Sequence, residues 1–203
     1  SSSEIYKGHH DYEVQEDDHN MFHQHPYSIA KIMGHSMIEF YRNTYNLPFS
    51  NGIIFTTESH LKRPEFLLNK VAAHIKEWKN GNKTQLIVGK LNSYRSILHA
   101  SDVANAIYKI ISQEKGETYL ICNDESYKVF DLVVRLYSIA GIILEQKDGM
   151  LYEKDSGLIV LLIEDKKIGF DSTPTNIKGK SKKLKELGWK PFLSIDNILE
   201  ELL

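Results

Sequence analysis

Amphipathic helical segments alternate with short apolar runs along most of this 203-residue chain. The segment 27–45 places its apolar side chains at helical spacing, and 51–56 holds the β-rich run Ile-Ile-Phe. Alternation of this kind is typical of an α/β protein. The pattern predicts helices over 27–45, 66–78, 99–113, 129–140, 180–187 and 195–202, and strands over 51–56, 85–88, 94–98, 118–122 and 158–163.

Charge and hydropathy exclude several classes of protein. The formal net charge of −2 gives no electrostatic footprint for nucleic acid or an anionic membrane. The longest apolar run, 157–163, is far shorter than the roughly 18 residues of a membrane helix. We expect no signal peptide, because the first residues lack a basic start and an apolar region. The single cysteine, Cys122, excludes an internal disulfide, so we expect a reducing, cytoplasmic setting.

Tyr27 and Lys31 carry the strongest chemical signal in the sequence. Their i, i+4 spacing at the start of a predicted helix puts both side chains on one face, one turn apart. An ammonium group favours ionisation of a neighbouring phenol, so such a tyrosine can act as an acid or a base near neutral pH. The same spacing also occurs by chance in many helices, and it then marks two ordinary surface residues.

The segments around this pair resemble the extended short-chain dehydrogenase/reductase family, and within it the nucleotide-sugar dehydratases of the GDP-mannose 4,6-dehydratase type. The family has a Ser-Thr-Ser-Glu-Leu-Tyr-like strand end before Pro-Tyr-x-x-Ala-Lys, and this chain has Ser1–Tyr6 before Pro26–Lys31. The resemblance continues in order over Tyr41–Leu47, Asn51–Phe55, Glu58-Ser59, Val88–Arg95, His99–Val103 and Leu187–Pro191. It therefore spans nearly the whole chain.

The resemblance implies an internal redox cycle in which NADP takes the C4 hydride of a sugar, water leaves across C5–C6, and the hydride returns at C6. By position in the motifs, the catalytic residues are Ser2, Glu4, Tyr27 and Lys31; the cofactor-binding residues are Tyr27, Lys31, Thr57 and Lys62; and the substrate-binding residues are Thr56, Lys70 and Arg95. The resemblance implies no metal. A simple reductase of this family does not need Glu4, so Glu4 favours the dehydratase branch.

The sequence also departs from the family pattern. The family's Asn-His-Glu-Ser is Thr56–Ser59 here, and an Arg-Pro that binds the pyrophosphate is Thr173-Pro174. A threonine hydroxyl does not replace the bidentate contact of a guanidinium with phosphate. These departures leave a second function open: a catalytically inactive remnant, or a nucleotide-sugar-binding module of the same fold.

The family's Gly-rich turn, which brings phosphates to backbone amides at a helix start, is not found in these residues. We therefore expect the back half of a doubly wound parallel (Rossmann-type) sheet with a smaller C-terminal substrate-binding lobe. Residues 1–59 and 99–123 would belong to the NADP-binding domain, and 60–98 and 124–203 to the lobe. Four βα units, about 120 residues, would precede Ser1. Without them the chain alone should bind NADP weakly and should not be a stable monomer, so we expect a homo-oligomer or further residues.

Several conspicuous residues have simpler explanations. The histidines at 9, 10, 19, 23 and 25 lack the spacing of a metal site, so solvated loop positions are the default. The basic run 178–185 contains Leu184 and predicts an amphipathic helix with one wet face, not a nucleic-acid site. Trp78, Trp189 and Cys122 are interpreted as packing residues.

Overall fold

The structure is a computed structural model that describes residues 1–6, 13–18, 21, 25–164 and 176–203. The helices of the described residues are α1 Pro26–Tyr45, α2 Leu67–Lys79, α3 Ala100–Ile111, α4 Val129–Ile139, α5 Lys182–Glu186 and α6 Ile195–Leu202. The strands are β1 Glu13–Val14, β2 Asn51–Ile54, β3 Thr56–Glu58, β4 Leu86–Val88, β5 Tyr94–Arg95, β6 Ile97–His99, β7 Thr118–Ile121, β8 Tyr127–Lys128, β9 Leu144–Lys147, β10 Met150–Glu153, β11 Ile159–Ile163 and β12 Lys178–Gly179. The α/β class is confirmed.

The chain divides into two units. Unit 1 contains the described residues of 1–58, 94–126 and 176–194, and unit 2 those of 59–93, 127–164 and 195–203. These boundaries put residues 94–98, 124–126 and 176–194 in unit 1, although the sequence analysis assigns these segments to the substrate lobe. The assignment of one unit to the cofactor and the other to the substrate stays a prediction.

Parallel pairing organises unit 1. Strand β2 pairs with β7 in parallel register from Asn51↔Thr118 to Ile54↔Ile121, and β3 pairs with β6 in the same sense. Alternate residues of β7 enter different core clusters: Leu120 lies in one, and Ile121 in the other. A strand buried on both faces must be apolar throughout, which is why 118–122 reads as a continuous apolar run.

The two core clusters hold most of the buried apolar side chains of unit 1. The first contains Ile5, Tyr6, Val14, Ile32, Ile53, Phe55, Leu120 and Cys122, and the second contains Leu98, Val103, Ala106, Ile110, Tyr119, Ile121, Leu184 and Trp189. Burial raises the pKa of the Cys122 thiol, because the thiolate would lose its hydration. The interpretation of Cys122 and Trp189 as packing residues is confirmed, as is that of Trp78 in unit 2.

The prediction that residues 1–6 form the end of a strand is correct for Ser2 only. Ser2 forms one parallel bridge with Ile54, and Ser3–Tyr6 then turns into a 3-10 helix. The turn is closed by the Ile5 N–H, which donates to the Ser2 carbonyl at 3.1 Å. Strand pairing therefore stops after one residue.

Helix α1 begins and ends as its sequence predicts. Pro26 occupies the first turn, where its missing N–H costs nothing, and His25 caps the helix. Asn46 ends it in the left-handed conformation at φ 52°, directly before Leu47-Pro48. Its buried face is narrow, with Ser28, Ile32 and His35. Most of its apolar side chains are exposed: Ile29, Met33, Met37, Phe40, Tyr41 and Tyr45.

Unit 2 contains a four-stranded sheet in the order β4-β11-β10-β9. Strands β4 and β11 are parallel, and the other two pairs are antiparallel. The sequence analysis did not predict β9 and β10, which form a hairpin around Asp148 and Gly149, both at positive φ. The short strands β1, β8 and β12 were not predicted either. In the described part of the chain, no helix is both long and apolar enough to cross a bilayer.

Candidate active site

The first residues of the chain lie between β2 and α1 in unit 1. The Ile54 N–H donates to the Ser1 carbonyl at 3.3 Å, and the Ser1 hydroxyl donates to the Lys31 carbonyl at 3.4 Å. These contacts of Ser1 hold the next residue, Ser2, beside β2. Its hydroxyl oxygen accepts the Glu4 N–H at 3.3 Å, which holds the 3-10 turn that carries the Glu4 side chain.

Tyr27 and Lys31 lie on one face of the first two turns of α1, as their spacing predicts. The Lys31 ammonium nitrogen is 5.3 Å from the centre of the Tyr27 ring, within the range of a cation–π contact. Tyr27 is 51% exposed, so its phenol is accessible to a bound molecule. An accessible phenol beside a cation can take up or release a proton at a bound molecule.

Glu4 is connected to the start of α1 through His25. The His25 Nε2 atom lies 3.3 Å from Glu4 Oε2, and its ring stacks on Tyr27 with centroids 6.2 Å apart and planes inclined by 20°. The carboxylate, the imidazole and the phenol are therefore neighbours in that order. The structure thus brings Glu4 to the helix end that carries Tyr27 and Lys31.

Arg95 and Thr56 belong to the same unit. Burial lowers the pKa of the Arg95 guanidinium, and the negative charge of Glu4 opposes that change. The Thr56 N–H donates to the carbonyl of Ser96, the residue after Arg95, at 3.2 Å. Thr57 follows in β3, paired with Leu98 of β6. The start of β3 is therefore held beside Ser96, the residue that follows Arg95.

Lys62 and Lys70 belong to unit 2. The Lys62 ammonium lies 4.6 Å from the centre of the Phe66 ring. The Lys70 ammonium donates to the Ile87 carbonyl at 3.0 Å and lines a cleft of about 300 Å³ together with Glu65 and Glu164. Lys62 therefore lies beside the N-cap residue of α2, and Lys70 belongs to the first residues of that helix.

Some predictions concern residues outside the described ranges. The histidines at 9, 10, 19 and 23 fall there, as does Thr173-Pro174. The basic run 178–185 is described. Leu184 is buried, the Lys183 ammonium pairs with Glu117 at 2.7 Å, and Lys185 pairs with Asp124. One face of this segment is therefore packed and the other carries paired charges.

The sequence analysis missed His25 as a site residue because it lay in a histidine-rich loop. The signal was present: the residue before a proline at a helix start is the N-cap, and its side chain faces the first turn. Here that turn holds Tyr27. A polar side chain at the N-cap therefore lies close to the predicted tyrosine, because both belong to the first turn of the helix.

Comparison with known proteins agrees with the resemblance. The sequence model of the GDP-mannose 4,6 dehydratase family matches residues 1–202. GDP-mannose 4,6 dehydratase 1 of Arabidopsis thaliana is 28% identical over 176 residues, which cover 86% of this chain and 45% of the plant protein. The Dictyostelium discoideum enzyme is 26% identical over 183 residues, covering 87% and 51%. The chain thus spans about half the length of the curated relatives it matches.

Solved structures share the fold. RMD from Pseudomonas aeruginosa, solved in complex with NADPH, has a TM-score of 0.79 at 21% identity and covers 100% of this chain and 63% of its own. dTDP-glucose 4,6-dehydratase from Bacillus anthracis, in complex with NAD, has a TM-score of 0.75 at 18% identity, covering 100% and 58%. At these identities the likeness concerns the Rossmann-type fold. The match of the family model over residues 1–202 shows that the chain belongs to the GDP-mannose 4,6-dehydratase family.

Proposed function

We propose that this chain carries the catalytic residues of a nucleotide-sugar 4,6-dehydratase that acts on GDP-mannose. The observation that carries the proposal is the placement of the Glu4 carboxylate at the helix end that holds the Tyr27 phenol and the Lys31 ammonium. A reductase needs only the last two groups. A carboxylate at the same place is what removal of water from a sugar requires, because a proton must leave C5.

The roles follow from the chemistry of each side chain. Tyr27 takes the proton of the C4 hydroxyl, and the Lys31 ammonium stabilises the negative charge that the phenol then carries. The Ser2 hydroxyl hydrogen-bonds the C4 oxygen. Glu4 takes the C5 proton and gives a proton to the C6 hydroxyl, which leaves as water. When the sugar is reduced at C6, Glu4 returns a proton from solvent at C5, and C4 remains a carbonyl.

The residues at the start of α1 fit the nicotinamide end of NADP. The phenol of Tyr27 is half exposed, and a cation lies beside it, a combination that suits the hydroxyl groups of a ribose and a reacting sugar. NADP supplies the hydride acceptor and donor of the cycle. Lys31 would bind the nicotinamide ribose, and Thr57 and Lys62 are further proposed contacts of the cofactor.

Substrate binding is proposed for Thr56, Lys70 and Arg95. Arg95 is the strongest of the three, because a guanidinium can bind two phosphate oxygens at once. We assign unit 1 mainly to the cofactor and unit 2 mainly to the nucleotide sugar; Thr56 and Arg95 are proposed substrate contacts within unit 1, and Lys62 is a proposed cofactor contact within unit 2. We propose a homo-oligomer as the assembly. The names of the curated relatives support GDP-mannose as the substrate.

The test is turnover of GDP-mannose by the protein that carries these residues, in wild-type form and as Tyr27→Phe. We expect the wild type to release the 4-keto-6-deoxy product, detected by mass spectrometry as the loss of one water. Tyr27→Phe should lose at least about 100-fold in rate. Tyr45→Phe is the control, since Tyr45 is a similarly exposed tyrosine, at 59%, on the same helix.

A nucleotide-sugar-binding module is the second candidate. Thr56 and Thr57, in place of an amide and an imidazole in the family pattern, favour it. Calorimetry separates the two functions. Binding of GDP-mannose without any product, in the presence of NADP, would favour the module, and product formation would favour the enzyme.

A further inference from the structure

The helix cap fixes the tautomer of His25. The backbone N–H of Ser28 donates to His25 Nδ1 at 3.2 Å. A backbone N–H can only donate, so Nδ1 must accept with its lone pair and carries no proton. In the neutral imidazole the proton then lies on Nε2. The cap is reciprocal, because the His25 N–H points to the Ser28 hydroxyl oxygen at 3.2 Å, and this capping box holds the residue in place.

The fixed tautomer gives direction to the contact with Glu4. Since Nε2 bears the proton, it donates to Glu4 Oε2 at 3.3 Å. The two side chains are partly shielded from solvent, with 21% of His25 and 39% of Glu4 exposed. A carboxylate that accepts a hydrogen bond at one oxygen is restricted in rotation, and its second oxygen is directed elsewhere.

The ordinary function of a helix cap does not explain this residue. Serine, threonine, aspartate and asparagine cap helices with one short acceptor. An imidazole has a second nitrogen at its far end, and here that nitrogen contacts Glu4 while the ring stacks on Tyr27. His25 therefore links the start of α1 to the turn that carries the carboxylate.

We propose that His25 is a positioning residue: its Nε2–H orients the Glu4 carboxylate for proton transfer at C5 of the sugar, while its Nδ1 caps α1. The catalytic consequence of this assignment rests on the proposed function. The contact between His25 Nε2 and Glu4 does not depend on that function. Loss of one hydrogen bond to a charged acceptor corresponds to about a tenfold lower rate of the step that Glu4 performs.

Two substitutions separate the two tasks of the imidazole. His25→Asn places an acceptor near the position of Nδ1 and keeps the cap, but it lacks the donor to Glu4. His25→Gln extends an amide N–H to about the position of Nε2 and caps the helix poorly. We expect His25→Asn to keep the melting temperature of the wild type. It should lower the rate at which deuterium from solvent enters C5 of the sugar about tenfold, and the KM for GDP-mannose should not change. His25→Gln should melt at a lower temperature and recover most of that rate.

A spectroscopic measurement tests the contact without turnover. Nitrogen-15 NMR of histidine-labelled protein, with His25 assigned by the signal lost in His25→Asn, should show the tautomer protonated at Nε2. The Nε2 resonance should shift in Glu4→Gln. A tautomer protonated at Nδ1 would overturn the proposal, and so would an Nε2 resonance that does not shift in Glu4→Gln. Both results count whether or not the protein is active. Equal exchange rates in wild type and His25→Asn, in a protein that does form product, would overturn it and leave the proposed function intact.

Discussion

The Lys31 ammonium lies 5.3 Å from the centre of the Tyr27 ring, one helical turn away on the same face of α1. We propose that this positive charge assists Tyr27 in hydride transfer. Lys31→Met removes the charge and keeps most of the chain length. We expect the rate of NADPH formation in a single turnover to fall about 100-fold.

Lys31→Arg is the companion substitution, because it keeps the charge and should retain more activity than Lys31→Met. Lys115→Met, at an exposed position of unit 1, controls for the general loss of a lysine. An unchanged rate in Lys31→Met would contradict the proposed part of the pair.

Glu4→Gln should separate oxidation at C4 from removal of water. The amide cannot take the C5 proton, but Tyr27 and Lys31 remain. We expect reduction of NADP by GDP-mannose to persist in a single turnover, while formation of the 4-keto-6-deoxy product falls at least about 100-fold. Absorbance follows the first step, and mass spectrometry follows the second. Equal loss of both steps would assign Glu4 to binding.

The helical part of this site could be predicted from the sequence. Pro26 at a helix start, the spacing of Tyr27 and Lys31, and the stop at Leu47-Pro48 are local signals, and α1 runs from Pro26 to Tyr45. The position of Glu4 relative to them depends on contacts that Ser1 and Ser2 make with Ile54 and Lys31, residues far apart from them in the chain. Local patterns do not encode such a contact. Only the family resemblance predicted that Glu4 lies near Tyr27 and Lys31.

Other misses have local causes. The hairpin of β9 and β10 turns at Asp148-Gly149, a pair typical of two-residue turns with positive φ. Its strands contain charged and polar residues such as Glu145, so their alternation is weak. The predicted strand 94–98 is divided at Ser96, whose hydroxyl donates to the Asn123 carbonyl at 2.7 Å. That side-chain contact is not visible in a sequence pattern.

Gly116 allows two segments of unit 1 to approach closely. A Cβ built there would lie 2.2 Å from the Phe49 carbonyl oxygen and 2.5 Å from the Phe49 nitrogen, so Gly116→Ala requires a backbone shift. We expect a loss of about 2 kcal/mol in the free energy of unfolding. Gly34→Ala lies inside α1, where the new Cβ would meet no atom within 4 Å apart from the neighbouring backbone of the helix itself, and should instead gain about 0.5–1 kcal/mol. Denaturant unfolding measures both, and similar effects would contradict the packing.

The Asp124 carboxylate ties β7 to α5 and makes stability depend on pH. Burial tends to raise its pKa, but hydrogen bonds from Lys185 and Ser181 outweigh burial and hold the pKa below the ordinary 3.8. A carboxyl whose pKa is lower in the folded state stabilises above the ordinary value and loses that effect as pH falls through the lowered one.

Asp124→Asn should therefore cost about 1 kcal/mol at neutral pH, and the difference from wild type should disappear as the pH falls below 3.8. Thermal melts over that range measure the change. Glu114→Gln, at an exposed position after α3, is the control. A cost for Asp124→Asn that is the same at all pH values would contradict the assignment.

Transfer of an isotope within one sugar tests the central claim most directly. The protein that carries these residues is given GDP-mannose labelled with deuterium at C4, together with NADP, and the product is examined by NMR. If Tyr27, Lys31 and Glu4 perform the proposed cycle, the deuterium removed from C4 appears at C6 of the 4-keto-6-deoxy product. Deuterium that stays at C4 of bound, unconverted GDP-mannose would contradict the account and favour a binding module.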